Sequence, residues 1–198
     1  TGRHGSGSYY TKKPVVSFMC QEALKEYLCK QCPGDNKAIN EFIENKDPTA
    51  LREPEDVYKA LDSVTVCDPA CGSGAYLLGM LQELLALKEY LWAAHQIGPE
   101  QIYKRKLHII QQNLYGVDID PFAVNIAKLR LWLSLAIDFD KSEPLPLPNL
   151  DYKIESGDSI SGPTPRNANT LFQLERDKLI DENTILKENY FLSHGDKK

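Results

Sequence analysis

From Pro14 onward, apolar residues recur at threes and fours: Val15, Val16, Phe18, Met19, Ala23, Leu24 and Leu28. That period predicts a helix. Proline suits its first turn, because the donor it lacks has no intrahelical partner there. Pro33 and Gly34 predict its stop near Cys32. Residues 35–62 are polar and predict short helices with turns at Asp47-Pro48 and Glu53-Pro54. VTVC, residues 64–67, is β-branched and followed by Asp-Pro, the pattern of a short buried strand. Leu77, Leu78, Leu81, Leu84, Leu85 and Leu91 then predict a long helix from about Gly74 to Ala94, and Pro99 starts another, reaching about Gln112. LYGV, residues 114–117, reads as a second strand. Pro121 opens a helix to about Ile137 that is apolar on most faces and is therefore expected to be well buried.

Beyond it, KSEPLPLPNL (141–150) reads as an extended linker and YKIES (152–156) as a third strand. Residues 163–198 are polar, with one weak helical pattern from Leu171 to Leu186. They are expected to be mobile, or to belong to a module that continues past the chain. Strand, helix, strand, helix, strand is the order of an α/β fold with a parallel sheet. The chain thus reads as three segments: an N-terminal arm and helical segment (1–62), an α/β core (63–162) and a polar tail (163–198).

Composition narrows the function classes. Of 198 residues, 42% are hydrophobic, as in ordinary globular proteins. No apolar run approaches the roughly 18 residues of a membrane span. The opening TGRHGSGSYYTKK has no apolar segment behind its basic residues, so a secretory signal is not expected, and the cytoplasm is. A net charge of −5 argues against a complete, stand-alone nucleic-acid binder, which needs clustered Lys and Arg to neutralise phosphates. It leaves room for a DNA-acting enzyme whose basic surface lies elsewhere. Cys29 and Cys32 form a single CxxC pair among five cysteines, without the second pair or histidines of a zinc site. Free thiols are expected, and no metal.

Candidate chemistry lies at the three strand ends. DPACGSGAYL (68–77) follows a strand and opens a helix. Gly72 and Gly74 allow a sharp turn and close backbone approach to a ligand, and the first amides of the helix favour a carboxylate. An ordinary strand-to-helix turn would also contain glycine. A dinucleotide fingerprint would want a third glycine where Leu77 stands, and an acidic residue about twenty positions on, where the chain is mid-helix. Pyrophosphate binding is therefore poorly supported. In YGVDIDPFAV (115–124), Asp118 ends the second strand and can accept hydrogen bonds from both hydroxyls of a ribose, while Ile119 can lie against a purine. Asp120, before Pro121, is explained as a helix cap. In SGDSI (156–160), Asp158 can accept from an exocyclic amine, although alone it would be a turn residue.

These stations succeed one another in the order a nucleoside needs, and together they carry a family resemblance. DPACGSGAYL resembles the first motif of amino-methylating DNA methyltransferases. YGVDIDPFAVNIAKLRLWLSL is similar to their second, and GDSI to their third. GSYYTKKPVVSFM resembles the motif preceding the first in the N6-adenine class, and the likeness is closest to restriction-modification and phage-defence methylases. It covers roughly residues 7–160. It implies a Rossmann-like fold binding S-adenosylmethionine, with an incomplete parallel sheet behind an N-terminal helical segment. Asp68, Ala70, Gly72 and Gly74 would hold the methionine moiety, Asp118 the ribose and Ile119 the adenine. Asp158 would bond the adenine amine, with Ile160 on the other face of the ring. Tyr10 and Thr11 would close the pocket, and Tyr9 and Tyr10 could place an aromatic face near the sulfonium. This ligand has no pyrophosphate, so the third glycine is unnecessary.

One departure counts against a complete enzyme. The family's catalytic Asn-Pro-Pro-aromatic tetrapeptide, which grips a flipped-out adenine, occurs nowhere in the 198 residues. No catalytic residue is assigned, and the chain reads as a cofactor-binding fragment, inactive alone. Its parent would methylate adenine N6 in duplex DNA contacted through missing regions, and a restriction nuclease, fused or separate, is a further partner the resemblance allows. A methylase of another substrate class, or a non-catalytic S-adenosylmethionine-binding module, is the alternative.

Overall fold

The computed structural model describes residues 11–98, 101–137, 150 and 152–161, and in the tail residues 178, 179, 182, 185 and 186. The chain divides into two units, residues 1–159 and 160–198. In the second, residues 178, 179, 182, 185 and 186 are helical. The linker reading of 141–150, apart from buried Leu150, and most of the tail reading lie outside the described residues.

The first unit begins with three helices, α1 (Lys13–Gln31), α2 (Asn36–Asn45) and α3 (Pro54–Ser63). Strand β1 (Val66–Asp68) leads into the long α4 (Ala75–His95), followed by α5 (Ile102–His108) and a π-helical turn, Ile109–Asn113. Strand β2 (Leu114–Asp118), α6 (Pro121–Ala136) and β3 (Ile154–Ser156) complete it. The three strands form one parallel sheet in the order β1-β2-β3, so the unit is α/β. Asp68 registers with Gly116, and Asp118 with Ser156, which brings all three carboxyl ends to one edge.

Side-chain period explains the packing. On α1 every fourth residue, Val16, Cys20, Leu24 and Leu28, is buried, and this stripe lies against α4. Helix α4 buries Leu77, Met80, Leu81, Leu84, Leu87 and Leu91, a face wide enough to meet α1, α3 and β2. From α2 come Ile39, Phe42 and Ile43, all fully buried. Glu83 of α4 ties this layer together, accepting from Ser17 Oγ at 2.7 Å, Gln21 Nε2 at 3.3 Å and Lys46 Nζ at 2.6 Å. Buried Lys88 is answered by Asp62 at 2.9 Å. Among the described residues no helix is long and apolar enough to cross a membrane.

The expected burial of β1 and α6, and the expected helix to Gln112, need correction. Strand β1 is only half-buried, with Cys67 exposed. Helix α6 is not buried all round. Val124, Ala127, Leu131 and Leu135 face the core, but Phe122, Leu129 and Leu133 are exposed. Its apolar residues exceed what one sheet face can cover. The helix expected to run to Gln112 changes character at Ile109, where the π turn inserts. Asn113 at its end donates to the carbonyls of Val64 at 2.7 Å and Asp62 at 2.9 Å, so the approach to β2 is pinned to the approach to β1.

Candidate functional site

Built up from the strand ends, the site starts with the turn between β1 and α4. Asp68 Oδ1 accepts from the Ala70 amide at 3.1 Å, closing a local turn. The Cys71 amide donates to the Val117 carbonyl at 2.9 Å, which stitches the turn to β2. Gly72 and Gly74 come next, with φ of +52° and +79°, a region where L side chains are strained. At Gly72 a Cβ would meet nothing within 4 Å, so the turn opens to free space there. At Gly74 it would lie 3.0 Å from the Ala127 Cβ, so the first turn of α4 sits tightly on α6.

Asp118 joins the turn. Its Oδ2 accepts from the Gly72 amide at 2.7 Å and its Oδ1 from the Asp120 amide at 2.9 Å. Each carboxylate oxygen retains acceptor capacity. Asp120 caps α6 through the Phe122 amide at 2.9 Å, as its position before Pro121 implies. Ile119 is 72% exposed, an apolar surface standing beside the carboxylate. From β3, the Gly157 amide donates to the Asp118 carbonyl at 2.9 Å, and Ser159 Oγ to the Pro69 carbonyl at 2.6 Å. Asp158, between these two anchors, is thereby held beside the ends of β1 and β2.

Asp68, Ala70, Gly72, Gly74, Asp118 and Ile119 are thus gathered on one crest, with Asp158 on the adjoining loop. Thr11 is exposed just ahead of α1. Tyr10 lies outside the described residues. Ile160 begins the second unit and is exposed.

The crest is electronegative. Burial, with the Asp118 charge adding to it, raises the Asp68 carboxyl above its ordinary range despite the Ala70 amide. Burial, then Asp68 and Asp118, pushes the Cys71 thiol to about 12, so it stays a neutral thiol. Two close carboxylates disfavour a pyrophosphate and favour a ligand with cationic groups. Among the described residues no group of three or more His, Cys, Asp or Glu could hold a metal.

Three residues within the motifs carry roles that were not assigned from the sequence. Gly116, in the middle of β2, would put a Cβ 2.8 Å from Leu77 Cδ1. The close helix–strand contact that a third glycine would give on the helix is therefore provided by a glycine on the strand. Arg130 of α6 donates to the Ser73 carbonyl at 2.8 Å. Ser159 ties β3 to the turn. A glycine inside a strand was the available clue to the first; a lone arginine amid leucines was a weaker clue to the second.

A parallel sheet with a glycine turn and paired aspartates at its strand ends defines an α/β domain, and open α/β sheets in general take their ligands at that edge. The model of the MmeI DNA-methyltransferase domain matches residues 43–142, and that of the Eco57I restriction-modification methylase matches residues 112–197. The chain belongs to the DNA methyltransferases of restriction-modification type. It is 36% identical, over 93% of its length, to a Methanocaldococcus jannaschii protein named as a type II restriction enzyme and methyltransferase. It is 30% identical to the adenine-specific methyltransferase PglX of Streptomyces coelicolor over 57% of its length, and 30% identical to DNA methyltransferase A of Bacillus subtilis over 61%. It spans 17%, 8% and 15% of those proteins respectively.

Proposed function

We propose that this chain binds S-adenosylmethionine at the strand-end crest, and that the whole protein transfers its methyl group to the N6 of adenine in duplex DNA. The observation that carries the reading is the junction of Asp118 with the Gly72 turn, beside Asp68. That donor set suits the ligand. It offers a carboxylate for a ribose diol, free space at Gly72 for close approach, and a negative potential for ammonium and sulfonium cations. Methyltransferases in general use this methyl donor, whose sulfonium supplies an electrophilic methyl group.

Each residue then has a task. Asp118 accepts from the ribose hydroxyls with the acceptor capacity left by Gly72 and Asp120. Ile119 packs on the adenine, and Asp158 accepts from its amine. Asp68, Ala70, Gly72 and Gly74 hold the methionine end. Tyr10, Thr11 and Ile160 are assigned by the motif resemblance alone. Residues 63–162 would form a Rossmann-like methyltransferase core, behind the helical segment 1–62 and ahead of the tail 163–198.

Adenine as target is supported by the resemblance to the N6-adenine class and by the name of the Streptomyces relative. A nuclease partner, fused or separate, is supported by the name of the Methanocaldococcus relative. With no Asn-Pro-Pro-aromatic motif and a net charge of −5, the chain by itself should neither methylate DNA nor bind it better than non-specifically, at roughly 10⁻⁴ M or weaker at physiological salt. Titration calorimetry with S-adenosylmethionine, its demethylated product and NAD tests the central claim. Binding of the first two without NAD supports it. Equal affinity for NAD and none for the methyl donor overturns it.

A further inference from the structure

A turn built on two left-handed glycines has more conformational freedom to lose than any other, so hydrogen bonds must fix its shape. Two such bonds run to β2, from the Cys71 amide to Val117 and from the Gly72 amide to Asp118. The second uses the carboxylate assigned above to the ribose, so it must be shared with the ligand. A further hold comes from α6. Arg130 Nη1 donates to the Ser73 carbonyl at 2.8 Å and reaches Ser73 Oγ at 3.3 Å, and Ser73 stands between the two glycines. Ala127, three residues earlier and so on the same helix face, is the residue packed against Gly74. The same helix is capped by Asp120, whose amide Asp118 accepts. One rigid element therefore joins the ribose station to the glycine turn.

We propose that Arg130 is a positioning residue for the cofactor. It clamps the Gly72–Gly74 turn from α6 and keeps the turn's amides aligned while Asp118 engages the ligand. The ligand's identity rests on the reading given under Proposed function; the clamp rests on the Arg130–Ser73 geometry. A lysine would keep the charge and one donor but lack the planar fork, so it should restore part of the hold.

The test uses the 198-residue chain with two readouts. Amide hydrogen exchange, without ligand, reports the turn; calorimetry with S-adenosylmethionine reports affinity. R130M should speed exchange at Cys71–Gly74 by about tenfold or more and weaken affinity by about tenfold, the loss of one charge-assisted hydrogen bond. Exchange in α1–α3 should not change, and R130K should recover part of both effects. If R130M loses its fold, R130Q is read by the same criteria. Unchanged exchange at the turn overturns the clamp, whatever the ligand does. Faster exchange with unchanged affinity overturns the positioning role. Failure of the unaltered chain to bind the methyl donor counts instead against the reading under Proposed function, and the exchange comparison still decides the clamp.

Discussion

The helical layer of α1–α4 and the crest at the strand ends are held by different forces. In the layer, fully buried Leu24, Phe42, Leu61 and Leu84 exclude water, and Glu83 answers its polar neighbours. At the crest, backbone hydrogen bonds fix a glycine turn, while Asp68 and Asp118 stay partly open. One region stores stability; the other keeps free acceptor capacity and mutual carboxylate repulsion. The contrast teaches that a binding edge is held in shape by its neighbours rather than by its own burial.

Substitutions should separate the two. The largest effect is expected from Phe42→Ala, which empties a fully buried site and should cost about 3–5 kcal/mol of stability. Denaturant unfolding should show it, with cofactor affinity unchanged wherever the variant remains folded. Glu83→Ala comes next. It removes the acceptor shared by Lys46, Ser17 and Gln21, and because the Lys46–Glu83 pair is slightly exposed and Lys46 keeps the Ile43 carbonyl, the cost should be about 2–3 kcal/mol. Burial alone would raise the Glu83 carboxyl, but hydrogen bonds from Lys46 and Ser17 and the Lys46 charge hold it below its ordinary 4.5. A lowered folded value means that this contribution is present above the ordinary value and lost as pH falls through the lowered one. Melting curves across acid pH should show that loss in the parent and not in the variant.

At the crest the sign of the stability effect reverses. Asp118→Ala should weaken binding of the methyl donor by about 1–3 kcal/mol, and a calorimetric affinity equal to the parent's would remove Asp118 from the site. The smallest effect is expected from Asp68→Asn. The folded carboxyl is raised, chiefly by burial, so the native state holds its proton more tightly than the unfolded chain. Stability therefore falls as pH rises from the ordinary value through the raised one. The amide removes that penalty. The variant should melt slightly higher than the parent at neutral pH, and affinity should drop. A lower melting temperature there would show that the Asp68 charge stabilises the turn.

Much of this was legible in the residues. Helix α1 lies within a residue of the expected bounds, because Pro14 and Pro33-Gly34 punctuate a clear period. Strand β2 was framed by Leu114 and Asp118. The expected strand at 64–67 begins two residues later, at Val66, because Val64 and Thr65 are only the approach to the sheet. β3 likewise starts at Ile154, since Tyr152 has a φ of +67° that no strand accommodates. The convergence of Asp118 on the Gly72 amide could not be read from spacing, for it depends on β1 and β2 being adjacent and parallel. Arg130 was hidden for the same reason: its partner is a backbone carbonyl 57 positions away.

The π turn before β2 carries a consequence for how this chain can vary. Gln111 and Gln112 there are at least partly exposed, so many side chains should be acceptable. Added length should not be acceptable. The π turn already holds one residue more than an α turn, so a further residue would rotate those beyond it by about 100°. Asn113 would swing away from the Val64 and Asp62 carbonyls it bridges. Between α5 and β2, selection should therefore tolerate altered letters and reject insertions, even where the surface looks permissive.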